Sequence, residues 1–189
     1  VLVSIERLNR IYEIDKTHLK VKVGAGIILK ELMAALEKQG LAMSNLGSVN
    51  AQSLAGAICT GTHGTGKKFQ CLAAQVESFE MLDGNGENHL FTKRDENFYA
   101  LLTGMGSCGI IHTITLEVVN AFQMHAVTDT ADFDELIDNL DKYVDGYDHF
   151  KFWWLAPSKK VMVFKNNRTS ENRNDSDMVR FIKDDVISV

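Results

Sequence analysis

Apolar and charged residues alternate from Leu19 to Gly24, the period of a half-buried strand, and short strands are predicted before it at Val1–Ser4 and Ile11–Asp15. The period then lengthens. Leu29, Leu32, Met33 and Leu36 fall on one face of a helix predicted over Ile28–Gln39, which Gly40 ends. Gln75–Leu82 and His89–Thr92 flank Asp83-Gly84-Asn85-Gly86 and predict a hairpin. Asp95 is expected to cap a helix running to about Leu102, and Ile110–Val119 alternates as a sheet strand does.

The pattern changes near Ala121. Phe122–Thr128 reads as a strand, Phe133–Val144 as an amphipathic helix, and Phe150–Leu155 and Lys160–Phe164 as two further strands. Beyond Thr169 a polar run, SENRNDSD, precedes a stretch, Met178–Val189, that has helical character. The order of elements predicts an α+β chain in two parts, residues 1–120 and residues 121–189. The aromatic run Phe150–Trp154 is expected to pack a core. Any apolar face it leaves bare would favour self-association as a homodimer.

Composition narrows the classes. With 189 residues, 45% hydrophobic and 24% charged, the chain is long enough for one domain and part of another. A formal net charge of −5 and the lack of a dense basic stripe argue against a nucleic-acid partner. No run approaches the roughly 18 apolar residues of a membrane helix, and the start of the chain does not resemble a signal peptide. Three cysteines, Cys59, Cys71 and Cys108, form an odd, widely spaced set, so a reducing, cytoplasmic setting is expected. The spacing of Cys59, His63 and Cys71 matches no usual zinc arrangement, and no metal is expected.

One stretch stands apart chemically. Ser53–Gly66, SLAGAICTGTHGTG, mixes four glycines with Thr60, Thr62, His63 and Thr65, and Lys67 and Lys68 follow at once. Glycine amides and rotatable hydroxyls suit an extended phosphate-bearing ligand without a fixed charge at the site. A P-loop is excluded because Lys68 stands where its hydroxyl should be, and the spacing does not fit a G-x-G-x-x-G dinucleotide fingerprint. A glycine-threonine turn with no ligand is the plain alternative.

This stretch follows LAMSNLGSVNAQ (Leu41–Gln52), and VKVGAG (Val21–Gly26) and GMGSCGIIHTITLEVV (Gly104–Val119) lie on either side in sequence. Together these segments resemble the second part of the PCMH-type FAD-binding domain of the vanillyl-alcohol oxidase superfamily. Within it, the chain resembles the group of the aldonolactone oxidases (L-gulonolactone oxidase and D-arabinono-1,4-lactone oxidase) and alditol oxidase, from about Val1 to Thr169. The resemblance implies a mixed or antiparallel sheet with helices, followed by the start of an α+β cap domain. It implies FAD contacts from Ser48, Ser53, Gly56, Thr60, Gly61, Thr62 and His63 along the pyrophosphate and flavin, and from Gly109, Ile110 and Ile111 at the adenosine end. Asn45 and Gly47 are neighbours of that set, and also read as a turn.

Two family motifs are missing from these 189 residues. The glycine-rich loop with a Ser-Arg-His motif, whose histidine often bonds covalently to flavin, has no counterpart here, nor has the later His-Trp-x-Lys motif. The chain is therefore expected to be a truncated form. His63 is not the covalent histidine, and the catalytic base cannot be assigned. The implied activity is FAD-dependent oxidation of a CH–OH group in a sugar lactone or polyol. The alternative is a non-catalytic fragment or association module that binds FAD weakly or not at all.

Overall fold

A computed structural model describes residues 3–170, and it divides them into two units. The first comprises residues 3–64 and 70–121, and the second residues 65–69 and 122–170. The predicted helix at 178–189 lies outside the described residues.

The first unit is built on a five-stranded antiparallel sheet. Its strands are β1 (Ile11–Asp15), β2 (Lys20–Gly24), β4 (Val76–Leu82), β5 (Asn88–Thr92) and β6 (Ile110–Glu117), in the order β1-β2-β6-β4-β5. Alternation along β2 and β6 buries Val21, Val23, Ile114 and Leu116 on one face. Lys20 and Lys22 stand on the other and pair with Glu77 at 2.9 Å and Glu80 at 2.8 Å. Helix α1 (Leu29–Glu37) lays Leu29, Leu32 and Leu36 against the buried face, each contributing about 2 kcal/mol of burial. Gly40 follows with φ +72°, and β3 (Leu41–Ala42) pairs with β7 (Val119–Asn120).

Several details differ from the pattern reading. Residues 3 and 4 form no strand; only Ile11–Asp15 and the Leu19–Gly24 region pair as expected. Leu54–Cys59 is a helix, α2, inside what reads as an irregular loop, because Leu54, Ala57 and Ile58 recur at helical spacing and are buried. Asp95 caps no helix. Its carboxylate turns back to accept from the Thr92 amide and hydroxyl, and α3 (Phe98–Leu102) begins later.

In the second unit, β8 (Gln123–Asp132), β9 (His149–Trp154) and β10 (Lys160–Thr169) form an antiparallel sheet ordered β8-β10-β9. The single helix predicted over 133–144 is two, α4 (Phe133–Asp138) and α5 (Leu140–Gly146). Asn139 parts them and returns its side-chain amide to the Glu135 carbonyl at 2.8 Å. Asp132 caps α4 through the Asp134 and Glu135 amides. The core here is small: Leu136, Val161 and Val163, with Phe133, Tyr143, Phe150 and Phe152 around them. Trp153, Leu155 and Met162 remain largely exposed.

Candidate functional site

Three segments of the first unit are drawn together by backbone bonds. The carbonyls of Asn50 and Gln52 accept from Lys30 and Leu29 at the start of α1, and the Ser53 hydroxyl accepts from the Gly56 amide at 3.2 Å, capping α2. Ala25 ties the assembly to the sheet: its amide donates to His112 of β6, and its carbonyl accepts from Ala55 of α2. The Leu72 amide donates to the Thr62 carbonyl, and the Thr62 amide to Ala57.

Residues 45–47 and 62–64 lie side by side. A Cβ on Gly64 would stand 2.2 Å from the Leu46 carbonyl oxygen and 2.4 Å from Asn45 Oδ1, so only glycine permits that approach. Asn45 is buried, and its carbonyl accepts from Gln75 Nε2 at 2.8 Å. Gly61, with φ +69°, takes the left-handed turn that follows α2.

The polar groups divide by what remains of them. Thr60 donates its hydroxyl proton to the Gly56 carbonyl at 2.8 Å, so toward the outside it only accepts. His63 Nδ1 faces the Gly64 carbonyl at 2.8 Å and must carry a proton there, which leaves Nε2 an acceptor in the neutral ring and a donor only in the imidazolium. Ser53 accepts from Gly56 and keeps its own proton to give. Among the described residues, the backbone amides of Gly47, Ser48, His63 and Gly64 and the Thr62 hydroxyl have no protein partner. Ser53, Gly56 and Thr60 fall on one side of α2, where a Cβ on Gly56 would meet nothing but Ser53 Oγ. That stripe is bare backbone flanked by small groups.

The third segment is the start of β6. Gly109 packs where a Cβ would come within 2.4 Å of the Leu82 carbonyl. Ile110 and Ile111 pair with Leu82 and Met81 of β4, while β2 pairs with β6 only as far as Thr113. On the β2 side the edge of residues 110–111 therefore has no strand partner among the described residues.

The remainder of the glycine-rich stretch behaves otherwise. Thr65–Phe69 belongs to the second unit, where His149 Nδ1 donates to the Thr65 carbonyl at 2.9 Å and the His149 ring stacks on Phe69 at 4.8 Å. Arg168 lies over Phe69 and Phe122. Lys67 pairs with Asp145 at 2.7 Å, a hydrogen bond that raises the lysine pKa. Sequence reading treats Lys67 as part of the phosphate field; its charge is instead matched locally. His149 and Asp145 carry no local signal linking them to a segment about eighty residues earlier.

Elsewhere in the first unit, Asp83, Glu87 and His89 bring one ligand atom each within 4.8 Å of the others. The Asp83 carboxylate already accepts from the Asn85 and Glu87 amides and pairs with His89, so the group is the internal bonding of the β4–β5 turn.

Residues 1–91 match the family model described as FAD binding domain, and residues 114–188 match that described as D-arabinono-1,4-lactone oxidase. The L-gulonolactone oxidase of Bos taurus is 34% identical over 177 residues. The chain is a homologue of the aldonolactone oxidases. That match covers 93% of the chain and 40% of the bovine protein. The D-arabinono-1,4-lactone oxidase of Eremothecium gossypii is 31% identical over 176 residues, 90% of the chain and 33% of the fungal protein. The chain thus spans about 40% or less of the length of these homologues. In fold, it is similar to a cholesterol oxidase of B. sterolicum with a TM-score of 0.79 at 19% identity, over 90% of this chain and 36% of that one. The mixed helix and antiparallel-sheet architecture of the PCMH type is the observed one. Among the described residues no helix is long and apolar enough to cross a membrane.

The donor set can be tested against FAD, which has a diphosphate, a flat ring system and an adenosine. Free amides and hydroxyls at 47–48, 53 and 62–64 match the first, and the bare α2 stripe matches a flat group. The open edge at 110–111 matches the third. These residues fit FAD.

Proposed function

We propose that the chain acts as an FAD-dependent oxidoreductase of the aldonolactone oxidase type on the CH–OH group of a sugar lactone. One observation carries the reading: the stretch with unused amides and hydroxyls at 47–64 lies within the residues that match the FAD-binding family. Gly47, Ser48, His63 and Gly64 would offer backbone amides to the diphosphate, with the Ser53 and Thr62 hydroxyls beside them. Gly56 and Gly61 would leave room, Thr60 would accept rather than donate, and Gly109, Ile110 and Ile111 would meet the adenosine through main-chain atoms.

Bound FAD supplies the two-electron acceptor for a carbon bearing a hydroxyl. The chain's own contribution is orientation and charge. Amide donors hold an anionic diphosphate without a lysine in the cradle, and burial of Leu54, Ala57 and Ile58 keeps the cradle rigid from beneath. No described residue is assigned the base that takes the hydroxyl proton. A lactone rather than a polyol is the substrate that the homologues' names support. The free cysteines fit a reducing, cytoplasmic setting.

Titration of the purified chain with FAD, followed by flavin fluorescence, tests the reading. Saturable quenching with a micromolar dissociation constant, about −8 kcal/mol, is the expected result. No saturable change up to about 1 mM, roughly −4 kcal/mol, would contradict it. The second reading, an association module, is favoured by the exposure of Trp153 (53%), Leu155 (83%) and Met162 (42%) on the second unit. A homodimer through that surface is compatible with FAD binding; a dimer that binds no FAD would leave the second reading alone.

A further inference from the structure

Cys59 ends α2 and Cys108 stands just before β6, and both sulfurs lie against the same turn. The Met105 amide donates to the Cys59 carbonyl at 3.2 Å, and the Gly106 amide reaches the Cys59 thiol. Cys108 Sγ lies 3.0 Å from the point where a Cβ on Gly104 would stand. Met105 and Gly106 both have positive φ, +52° and +73°, so the chain folds back tightly between the two cysteines' contacts. Cys59 is half-buried, Cys108 is exposed, and neither is in a disulfide.

We propose that Cys59 and Cys108 form a peroxide-sensitive thiol pair, in which Cys108 is the attacking thiol and Cys59 the resolving one. The division of roles follows from exposure. Burial pushes the Cys59 thiol up, against a smaller lowering by the Gly106 amide, and the nearby Cys108 also raises it. Cys59 is therefore the poorer first nucleophile of the two, being less exposed than Cys108. The Cys108 thiolate attacks one oxygen of hydrogen peroxide; the O–O bond breaks, leaving a sulfenic acid and hydroxide. Cys59 sulfur then attacks the Cys108 sulfur, the S–S bond forms, and the S–O bond breaks. The Cys59 proton and the released hydroxide leave as water. Two thiols are oxidised and one peroxide is reduced to two waters.

The consequence rests on the FAD reading above. Cys59 adjoins Thr60–His63 and Cys108 adjoins Gly109–Ile111, so the cross-link would tie together the two segments assigned to opposite ends of the cofactor. Forming it would fix the 104–108 turn to the end of α2 and change FAD affinity.

The test uses the chain as it is, treated with stoichiometric hydrogen peroxide, alkylated and mapped by mass spectrometry without reduction. The expected product has lost two hydrogens and yields a peptide joined at Cys59 and Cys108, with Cys71 alkylated. Cys71→Ser should give the same cross-link, and with peroxide in excess, two equivalents per sulfinic acid, Cys59→Ser should instead carry Cys108 on to sulfinic acid. Recovery of both thiols alkylated would overturn the proposal, as would Cys108 sulfinic acid forming equally in the unsubstituted chain and in Cys59→Ser. FAD titration of the oxidised and reduced chain should differ at least fivefold, reversed by dithiothreitol; equal affinities would refute the consequence for the cofactor. If the reduced chain binds no FAD, the FAD reading fails, while the mass result still decides whether the thiol pair exists.

Discussion

Two successive segments that share glycine and threonine, residues 53–64 and 65–69, have opposite fates. Residues 53–64 keep amides and hydroxyls unused by the protein, over a helix whose underside is fully buried. Residues 65–69 engage side chains and a carbonyl within the second unit: the Thr65 carbonyl with His149, the Lys67 ammonium with Asp145, and the Phe69 ring with His149 and Arg168. The glycines do not divide this way: a Cβ would meet nothing at Gly61 and only Ser53 Oγ at Gly56, but would come within 2.2 Å of the Leu46 carbonyl at Gly64 and 2.3 Å of the Asp148 carbonyl at Gly66. Glycine and threonine content therefore does not mark a ligand site. What separates the two is that the side chains of residues 65–69 find partners within the second unit.

The largest effect should come where the first half meets residues 45–46. In Gly64→Ala the new methyl runs into the Leu46 carbonyl and Asn45, and backbone cannot give way as a side-chain tip can. Destabilisation of about 3 kcal/mol is expected, with FAD affinity falling as the 45–47 and 62–64 segments part. Chemical denaturation followed by FAD titration checks both. A fold unchanged by this substitution would mean that the close approach of these segments is not what shapes the cradle.

A smaller effect is expected in the second half. Phe69→Ala removes the stack on His149 and the surface under Arg168, at about 2 kcal/mol for a half-buried aromatic. The loss should appear in the unfolding of the sheet formed by β8, β10 and β9, read by the fluorescence of Trp153 and Trp154. If unfolding is unaffected while FAD binding disappears, residues 65–69 belong to the ligand after all and the contrast collapses.

How much of this was legible follows from where the signals sit. The α1 stripe, the β2 alternation and the Asp83–Gly86 turn are local patterns, and each produced the element it predicts. Helix α2 was hidden because Ala55, Gly56 and Ala57 dilute its periodicity. Ser53 as a cap, with Leu54, Ala57 and Ile58 behind it, was the signal that could have found it. β8 runs on to Asp132, past the predicted Thr128, because its length is set by the ladder with β10 rather than by its own alternation. Residue types at the candidate site were readable as phosphate-friendly. Their proton directions were not, since Thr60 and His63 are each committed by carbonyls that only the turn geometry brings near. The allegiance of residues 65–69 rests wholly on distant partners.

Gly56→Leu separates the two roles of the first half most sharply. Leucine favours a helix over glycine by somewhat under 1 kcal/mol, while its Cβ would stand 2.9 Å from Ser53 Oγ and turn that cap away at about 1 kcal/mol, so the folding midpoint should change little. The side chain would nevertheless stand on the bare stripe between Ser53 and Thr60. FAD titration of this variant should show affinity reduced tenfold or more with the fold intact. Affinity equal to that of the unsubstituted chain would contradict the assignment of this surface to the flavin nucleotide.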